Sequence, residues 1–296
     1  VSLPLLFGAN IDPTWKTPEE PERLARRVED AGLDLITIQD HPYQKDFFDT
    51  WTLISYLAAR TRTVTFVPAV ASLPLRPPAM LAKAAASLDL LTSGRLRLGL
   101  GAGAFWEAID AMGGPLRGKR EAVDALDEAI TVIRGMWSGE RSVRFTGQHY
   151  QVKGVHPGPQ PGTNLSIWLG SYGPRMLALT GARADGWLPS SSFLPPDRLG
   201  EAVTRLNTAA ADAGRDPAQL RKVYNLNGII SPVNGTDPFQ GSVRQWADQI
   251  ITAAADHGMN GFVYWPGDDH ERQIDLFAQE VIPLVREALP HTPTQP

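Results

Sequence analysis

Short apolar runs alternate with longer stretches of helical period along almost the whole chain. The apolar run Leu3 to Asn10 is followed by a helical stretch from Thr17 to Ala31 that stops at Gly32. Thr17 stands as the N-cap before Pro18, with Glu20 as the capping-box acid. Leu33 to Gln39 reads as a buried strand, and Thr50 to Ala59 as the next helix. Val64 to Ala71 is a third strand. Its helix, Pro78 to Leu91, opens on Pro and has Gly94 just past its end. Arg95 to Leu100 is a fourth strand, and Lys119 to Trp137 the fourth helix. The period then breaks. Residues 138–164 read as an ordered insertion, with a small hairpin at Val143–Phe145 and His149–Val152. The alternation resumes with strand Leu165–Gly170, helix Pro174–Ala182, strand Asp185–Pro189 and helix Asp197–Ala213. Strand Lys222–Ser231, helix Val243–His257, strand Gly261–Trp265 and helix Asp269–Ala288 complete it. Asp268-Asp269-His270 reads as the cap of that last helix.

Eight strands each followed by a helix imply a parallel sheet. Eight is also the barrel number, so the expected fold is α/β, a (β/α)8 TIM barrel with an insertion after the fourth helix. A doubly wound open sheet is the alternative, though such sheets rarely run to eight regular units. Residues 1–289 are expected to form one domain, with 290–296 a disordered tail.

Composition narrows the chemistry. Of 296 residues, 43% are hydrophobic and 20% charged, an ordinary globular balance. The net charge is −4 with no basic stripe, which argues against nucleic acid. There are no cysteines, so disulfides, zinc-thiolate sites and a cysteine nucleophile are excluded. The apolar start lacks a basic flank or cleavage site, and no run reaches a membrane span; a cytoplasmic location is expected. The histidines at 41, 149, 156, 257, 270 and 291 lack paired ligand spacing, so no metal site is expected.

In a barrel of this kind the active site lies at the C-terminal strand ends. Strand one ends in Asn10-Ile11-Asp12, and strand two in Gln39-Asp40-His41-Pro42. His41 can give or take a proton near neutral pH, with Asp40 beside it, and both are read as catalytic. The plainer alternative makes Asp40 a cap and His41 a loop residue. Gly99-Leu100-Gly101-Ala102-Gly103-Ala104 fits a dinucleotide fingerprint. Three β/α units precede it, whereas that fingerprint normally opens its domain. Gly101, Ala102 and Gly103 are read instead as letting a flat ligand approach the backbone. Ser171-Tyr172-Gly173 precedes a helix with Pro174 in its first turn, a phosphate-binding geometry to which Arg175 could add charge.

These segments together resemble the luciferase-like monooxygenase superfamily, which includes deazaflavin-dependent reductases. The matching pieces are Asp40-His41, Leu75 to Lys83, Leu88 to Arg95, Leu98 to Gly103, Trp168-Leu169-Gly170 and Ala184-Asp185-Gly186-Trp187. The resemblance implies a ring cofactor in the barrel mouth, either the deazaflavin coenzyme F420 or FMN, with His41 beside its reactive face. It implies a bulge with a non-prolyl cis peptide at Ala69-Val70. Ala69, Val70, Ala71 and Ser72 then lie against the ring, and Tyr172 and Gly173 cradle its phosphate. It also implies a homodimer and a small organic substrate. Sugar-phosphate-oxidising relatives carry an acid where this chain has Ala104. Trp106 and the small residues of this loop suggest an apolar substrate wall.

The ring sets the chemistry. F420 implies hydride transfer and is favoured, because relatives that use it share Asp-His where several FMN monooxygenases have Glu-His-His. FMN would bring oxygen chemistry. A non-catalytic flavin-binding protein is the reading from another class, and a metal-dependent hydrolase lacks its ligand set.

Overall fold

The computed structural model describes residues 3–162 and 165–289; the expected tail lies outside them. Short buried runs form the strands. β1 (Leu6–Asn10), β2 (Leu35–Ile38), β3 (Thr65–Pro68), β4 (Ala71–Ser72) and β5 (Leu98–Gly101) are interleaved with α1 (Glu20–Asp30), α2 (Thr50–Arg60) and α3 (Pro78–Leu91). Then come α4 (Trp106–Ala111), α5 (Lys119–Trp137) and a hairpin of β6 (Val143–Thr146) with β7 (Gln151–Val155). β8 (Ile167–Leu169), α6 (Pro174–Arg183), β9 (Gly186–Trp187), α7 (Pro196–Asp212), β10 (Arg221–Ile230), β11 (Gln240–Gly241), α8 (Val243–His257) and β12 (Gly261–Pro266) follow. The last helix is α9 (His270–Leu276) and α10 (Ile282–Ala288), joined through one π turn at Phe277–Val281.

The parallel strands run in the order β3-β2-β1-β12-β10-β9-β8-β5-β4. The ring closes where Phe66 bridges Leu96: its N–H donates to the Arg95 carbonyl and its own carbonyl accepts from Arg97. β4 continues the line of β3 beyond Ala69-Val70, so the two count as one barrel stave. Eight staves result, as the alternation predicts. Leu35, Val67, Trp168, Leu188, Val223 and Val263 fill the interior, so the barrel is a packed core and not a pore. A second apolar layer, including Leu24, Ile54, Leu206, Trp246 and Phe277, lies between the sheet and the helices. No helix among the described residues is long and apolar enough to cross a membrane.

Several local expectations need correction. Thr17 does not cap α1, which begins at Glu20 with Pro21 in its first turn. A start at Thr17 would have placed Pro21 deeper in the helix, where its missing N–H and its ring break the ladder. Thr17 instead accepts the Glu20 N–H on its main-chain carbonyl and closes a turn. Asp269 stands at the N-cap of α9 in a left-handed conformation, and its side chain makes no capping bond. Strand three is two short pieces rather than one. The loop after β5 contains a helix, α4, that the periodicity did not show. The hairpin is present in the insertion, with its second strand starting at Gln151 rather than His149.

Candidate active site

The end of β2 is held by a buried ion-pair network. Asp40 Oδ2 accepts from the Ser72 N–H at 2.9 Å and from Arg76 Nε at 2.7 Å. Oδ1 accepts from the second Arg76 arm at 2.7 Å. That same arm reaches Asp49 Oδ2 at 2.7 Å, while Asp49 Oδ1 caps α2 through the Thr52 N–H. Burial works against the Arg76 charge, yet the two carboxylates hold it protonated well above the usual guanidinium value. The Asp40 side chain is 0% exposed, so it touches no ligand. Asp40 ties the strand-two loop to the backbone just past the bulge. Arg76 is its partner; it stands in the Leu75–Lys83 segment that carries the family resemblance, but nothing in that segment says it pairs with Asp40.

His41 is the next residue and stands at the mouth. Its Nδ1 lies 2.7 Å from the Tyr43 Oη. The Phe105 ring meets the imidazole edge-on at a centroid distance of 5.6 Å and packs on Tyr43 at 6.0 Å. Burial pushes the imidazole pKa down, and the Asp40 charge pulls it partly back. Burial and the same carboxylate push the Tyr43 phenol up to about 12, so it remains an O–H. Among the described residues His41 Nε2 has no hydrogen-bond partner, and it is not sealed from solvent. A neutral imidazole with one nitrogen engaged and one open is an arrangement that can move a proton.

The Ala69-Val70 peptide is cis, as the resemblance implied. The Ala69 N–H donates to the Ile38 carbonyl at 2.8 Å, which sets the bulge beside β2. The strand-four glycines have a packing reason of their own. A Cβ on Gly99 would lie 1.8 Å from the Pro68 carbonyl oxygen, and one on Gly101 2.5 Å from Val70 Cγ2. On Gly103 it would meet Pro74 and Trp106, each at 2.7 Å. The space these residues leave is occupied by the chain itself: β3 and the bulge pack directly onto β5. Ala71 and Ser72 pair with Leu100 and Gly101, and Ala102 follows half-buried at the strand end. Trp106 lies under Gly103, so Phe105 and not Trp106 is the aromatic face beside His41.

At the end of β8, Ser171 turns inward. Its hydroxyl meets Thr180 Oγ1 at 2.9 Å, and its carbonyl accepts from Trp187 Nε1. Tyr172 Oη accepts from the Ser190 N–H at 3.2 Å, and its ring packs on Phe193 at 5.5 Å. Gly173 is the N-cap of α6 and makes no side-chain cap; a Cβ there would meet nothing within 4 Å. Open space in front of an uncapped helix start fits a phosphate group. Arg175 pairs with Asp124 of α5 at 2.8 Å on the outer surface, which takes its guanidinium away from that role. At β1, Asp12 accepts from Asn10 Nδ2 and Gln39 Nε2, which places a carboxylate at the end of that strand. Among the described residues no group of three or more His, Asp or Glu is placed to hold a metal. Two clefts, of about 500 and 570 Å³, lie outside the barrel between α7 and α8 and between α2 and α3, away from this chemistry.

Comparison with known proteins bears on the fold and the family. The family model described as luciferase-like monooxygenase matches residues 5–232. An F420-dependent hydroxymycolic acid dehydrogenase of Mycobacterium tuberculosis is 28% identical over 307 residues, covering 88% of this chain and 83% of that protein. A phthiodiolone/phenolphthiodiolone dimycocerosates ketoreductase of Mycobacterium kansasii is 30% identical over 242 residues, covering 80% and 63%. An F420-dependent secondary alcohol dehydrogenase, solved with an F420-acetone adduct, superposes with a TM-score of 0.86 at 18% identity, covering 96% of this chain and all of that one. With the barrel, the bulge and a histidine at the end of β2 in place, the chain belongs to the luciferase-like monooxygenase family and is an oxidoreductase.

Proposed function

We propose that the protein uses the deazaflavin F420 to interconvert a secondary alcohol and a ketone. The observation that carries this is the His41–Tyr43 contact at the mouth, with Nε2 left open. The names of the relatives support it, since a dehydrogenase, a ketoreductase and a secondary alcohol dehydrogenase all work at that oxidation level. The bulge at Ala69 to Ser72 would hold the ring face, and Tyr172 with the start of α6 at Gly173 its phosphate. Bound there, a deazaflavin supplies a carbon that accepts or returns a hydride.

The chain's own part is the proton. In alcohol oxidation His41 Nε2 accepts the hydroxyl proton while Nδ1–H donates to Tyr43 Oη. Burial keeps the imidazole neutral at pH 7, so its lone pair is available. Ketone reduction runs the same proton back from Nε2. Asp40 and Arg76 fix where the imidazole stands.

Titration of the protein with F420 and with FMN, followed by visible absorbance, tests the cofactor. Saturable F420 binding without FMN binding is the expected result; the reverse would move the protein to FMN-dependent oxygen chemistry. His41→Ala should lower turnover by roughly 10²- to 10⁴-fold, the usual worth of a general acid–base group, and leave F420 binding close to normal. Full turnover in that variant would refute the role of His41.

A further inference from the structure

Along β10 the side chains alternate between the two sides of the barrel wall. Val223 belongs to the interior layer, whereas Tyr224 and Leu226 pack outward against the helices. A strand has a period of two, so Asn225 turns inward, one inward position above Val223 towards the mouth. On β12 the same alternation turns Val263 and Trp265 inward and Tyr264 outward. Asn225 is 2% exposed. Its main chain is fully used: the N–H donates to the Pro189 carbonyl, and the carbonyl accepts from the Ser191 N–H. Trp265 Nε1 donates to Asn225 Oδ1 at 3.2 Å. An indole can only donate, so this bond fixes which end of the amide is oxygen and turns Nδ2 away from Trp265. Among the described residues Nδ2 has no hydrogen-bond partner, and it is not sealed from solvent. The inward amide of Asn10 is occupied by contrast: its Oδ1 accepts from Thr37 Oγ1, and its Nδ2 donates to Asp12. An unpaired donor on a buried side chain is costly, so one with an open approach marks a place where a ligand completes the bond.

The place of Asn225 in the ring of staves says which ligand. β10 stands four staves from the β3–β4 stave in either direction, directly across the barrel from the bulge. Val70 and Trp265 pack on the same interior layer, so the bulge and the Trp265–Asn225 pair face one another over a common floor. A ring held face-on against the bulge turns its other face to β10, and the molecule that reacts with that face lies between. His41 stands at a different depth. On β2 the inward positions after Leu35 are Thr37 and Gln39, and the chain reaches His41 only beyond them. The two groups therefore act on different atoms of the occupant.

We propose that Asn225 is a specificity-determining residue whose Nδ2 donates to a second oxygen of the substrate, a carbonyl or hydroxyl set apart from the carbon that reacts beside His41. This rests on the alcohol–ketone reading above and narrows its substrate class to alcohols and ketones that carry a further oxygen acceptor. A substrate without that acceptor leaves a dehydrated N–H with no partner. One that carries it replaces the water lost on binding with a bond whose direction Trp265 already sets.

Oxidation of 2-heptanol by F420, compared with that of 2-heptanols carrying a ketone at C-4, C-5 or C-6, tests it. At least one hydroxyketone should exceed 2-heptanol in kcat/KM by roughly 10- to 100-fold, the scale of a buried donor gaining its partner. Asn225→Asp keeps the acceptor for Trp265 and removes the donor, and Asn225→Leu removes both; in each the ratio should fall to near unity. In Trp265→Phe the amide loses its orienting bond, and the ratio should fall part of the way. Side-chain amide NMR, with and without oxidised F420, gives a readout free of turnover. Its probes are 2-heptanone and the matching heptanedione, which the oxidised cofactor leaves unchanged. The Asn225 Nδ2 signals, identified by their loss in Asn225→Asp, should move downfield with the dione and not with 2-heptanone. That shift with no alcohol oxidised would leave the role of Asn225 standing and sink the alcohol–ketone reading. Oxidation of every alcohol at equal kcat/KM, in the unaltered protein and in its variants, would overturn the role of Asn225 and leave that reading intact. Weaker F420 binding in Asn225→Asp with the substrate ratio unchanged would also overturn it, by assigning the donor to the ring.

Discussion

Two neighbouring loops at the barrel mouth are built in opposite ways. The loop after β2, from Gln39 to Asp49, is pinned at both ends. Asp40 is tied to Ser72 and Arg76, and Asp49 to Arg76 and the start of α2. The loop after β5, from Ala102 to Gly118, is seated by Ile109 but turns Phe105, Met112 and Leu116 outward. His41 is on the first loop and Phe105 on the second, and they touch. In the role proposed for His41 a group tolerates little displacement, and it stands on the loop locked by directional, charge-assisted bonds. An apolar contact is non-directional, so it can be carried by a loop with fewer ties.

If that contrast is right, damage to the first loop should cost most. Arg76→Ala leaves Asp40 as a buried charge without its partner, and a loss of about 3–5 kcal/mol in denaturant unfolding is expected. Arg76→Lys should recover only part of it, because an ammonium cannot span Asp40 and Asp49 in a forked geometry. A loss below about 1 kcal/mol, the range of an exposed pair, would mean the network does not hold the loop.

Gly101→Ala comes next. Its Cβ would lie 2.5 Å from Val70 Cγ2, and overpacking of this kind costs about 1–3 kcal/mol. Thermal unfolding should show the loss. Gly173→Ala, with nothing within 4 Å, should leave stability within about 0.5 kcal/mol, the range of surface changes. Equal effects of the two would remove the claim that strand-four glycines admit the bulge.

Among substitutions at the mouth, the mildest is Tyr43→Phe, about tenfold in turnover, from loss of one hydrogen bond of roughly 1–1.5 kcal/mol. Without Oη the imidazole loses the acceptor that favours the tautomer with a bare Nε2. The charged ring loses a stabilising contact at the same time, so the acid limb of alcohol oxidation should move to lower pH. In the unaltered protein that limb is expected below the ordinary imidazole value of 6.5, because burial disfavours the charged ring. A pH profile of kcat/KM that is the same in both proteins would show Tyr43 to be mere packing.

The barrel itself was readable because each stave and helix announces itself over a few residues. α3, α5 and α8 begin and end where their periodicity and end signals predict. The position of His41 at the end of the second stave was readable from the strand pattern, and the structure places it at the mouth; its part in proton transfer is the proposal above. Other features were not readable. Asp40 reads equally well as an acid beside a histidine or as a buried anchor, and only the approach of Arg76, 36 residues on, separates the two. Gly101 is compatible with a flat ligand or with a close bulge. Arg175 looks like an anion ligand until Asp124 is seen opposite it. α4 is too short to show a period, and Trp106 and Phe105 are adjacent aromatics whose directions depend on the left-handed turn at Phe105.

What the sequence by itself determined, then, is the alternation of eight buried strands with amphipathic helices and the strand ends at which polar groups collect. Both follow from periodicity, which is a local property of the chain. Tertiary structure alone decided which of those groups are spent on holding the site and which face the mouth. Closing the barrel brings Arg76 to Asp40, Val70 to Gly101 and Phe105 to His41. The role of each side chain depends on a partner distant in sequence that no local pattern names.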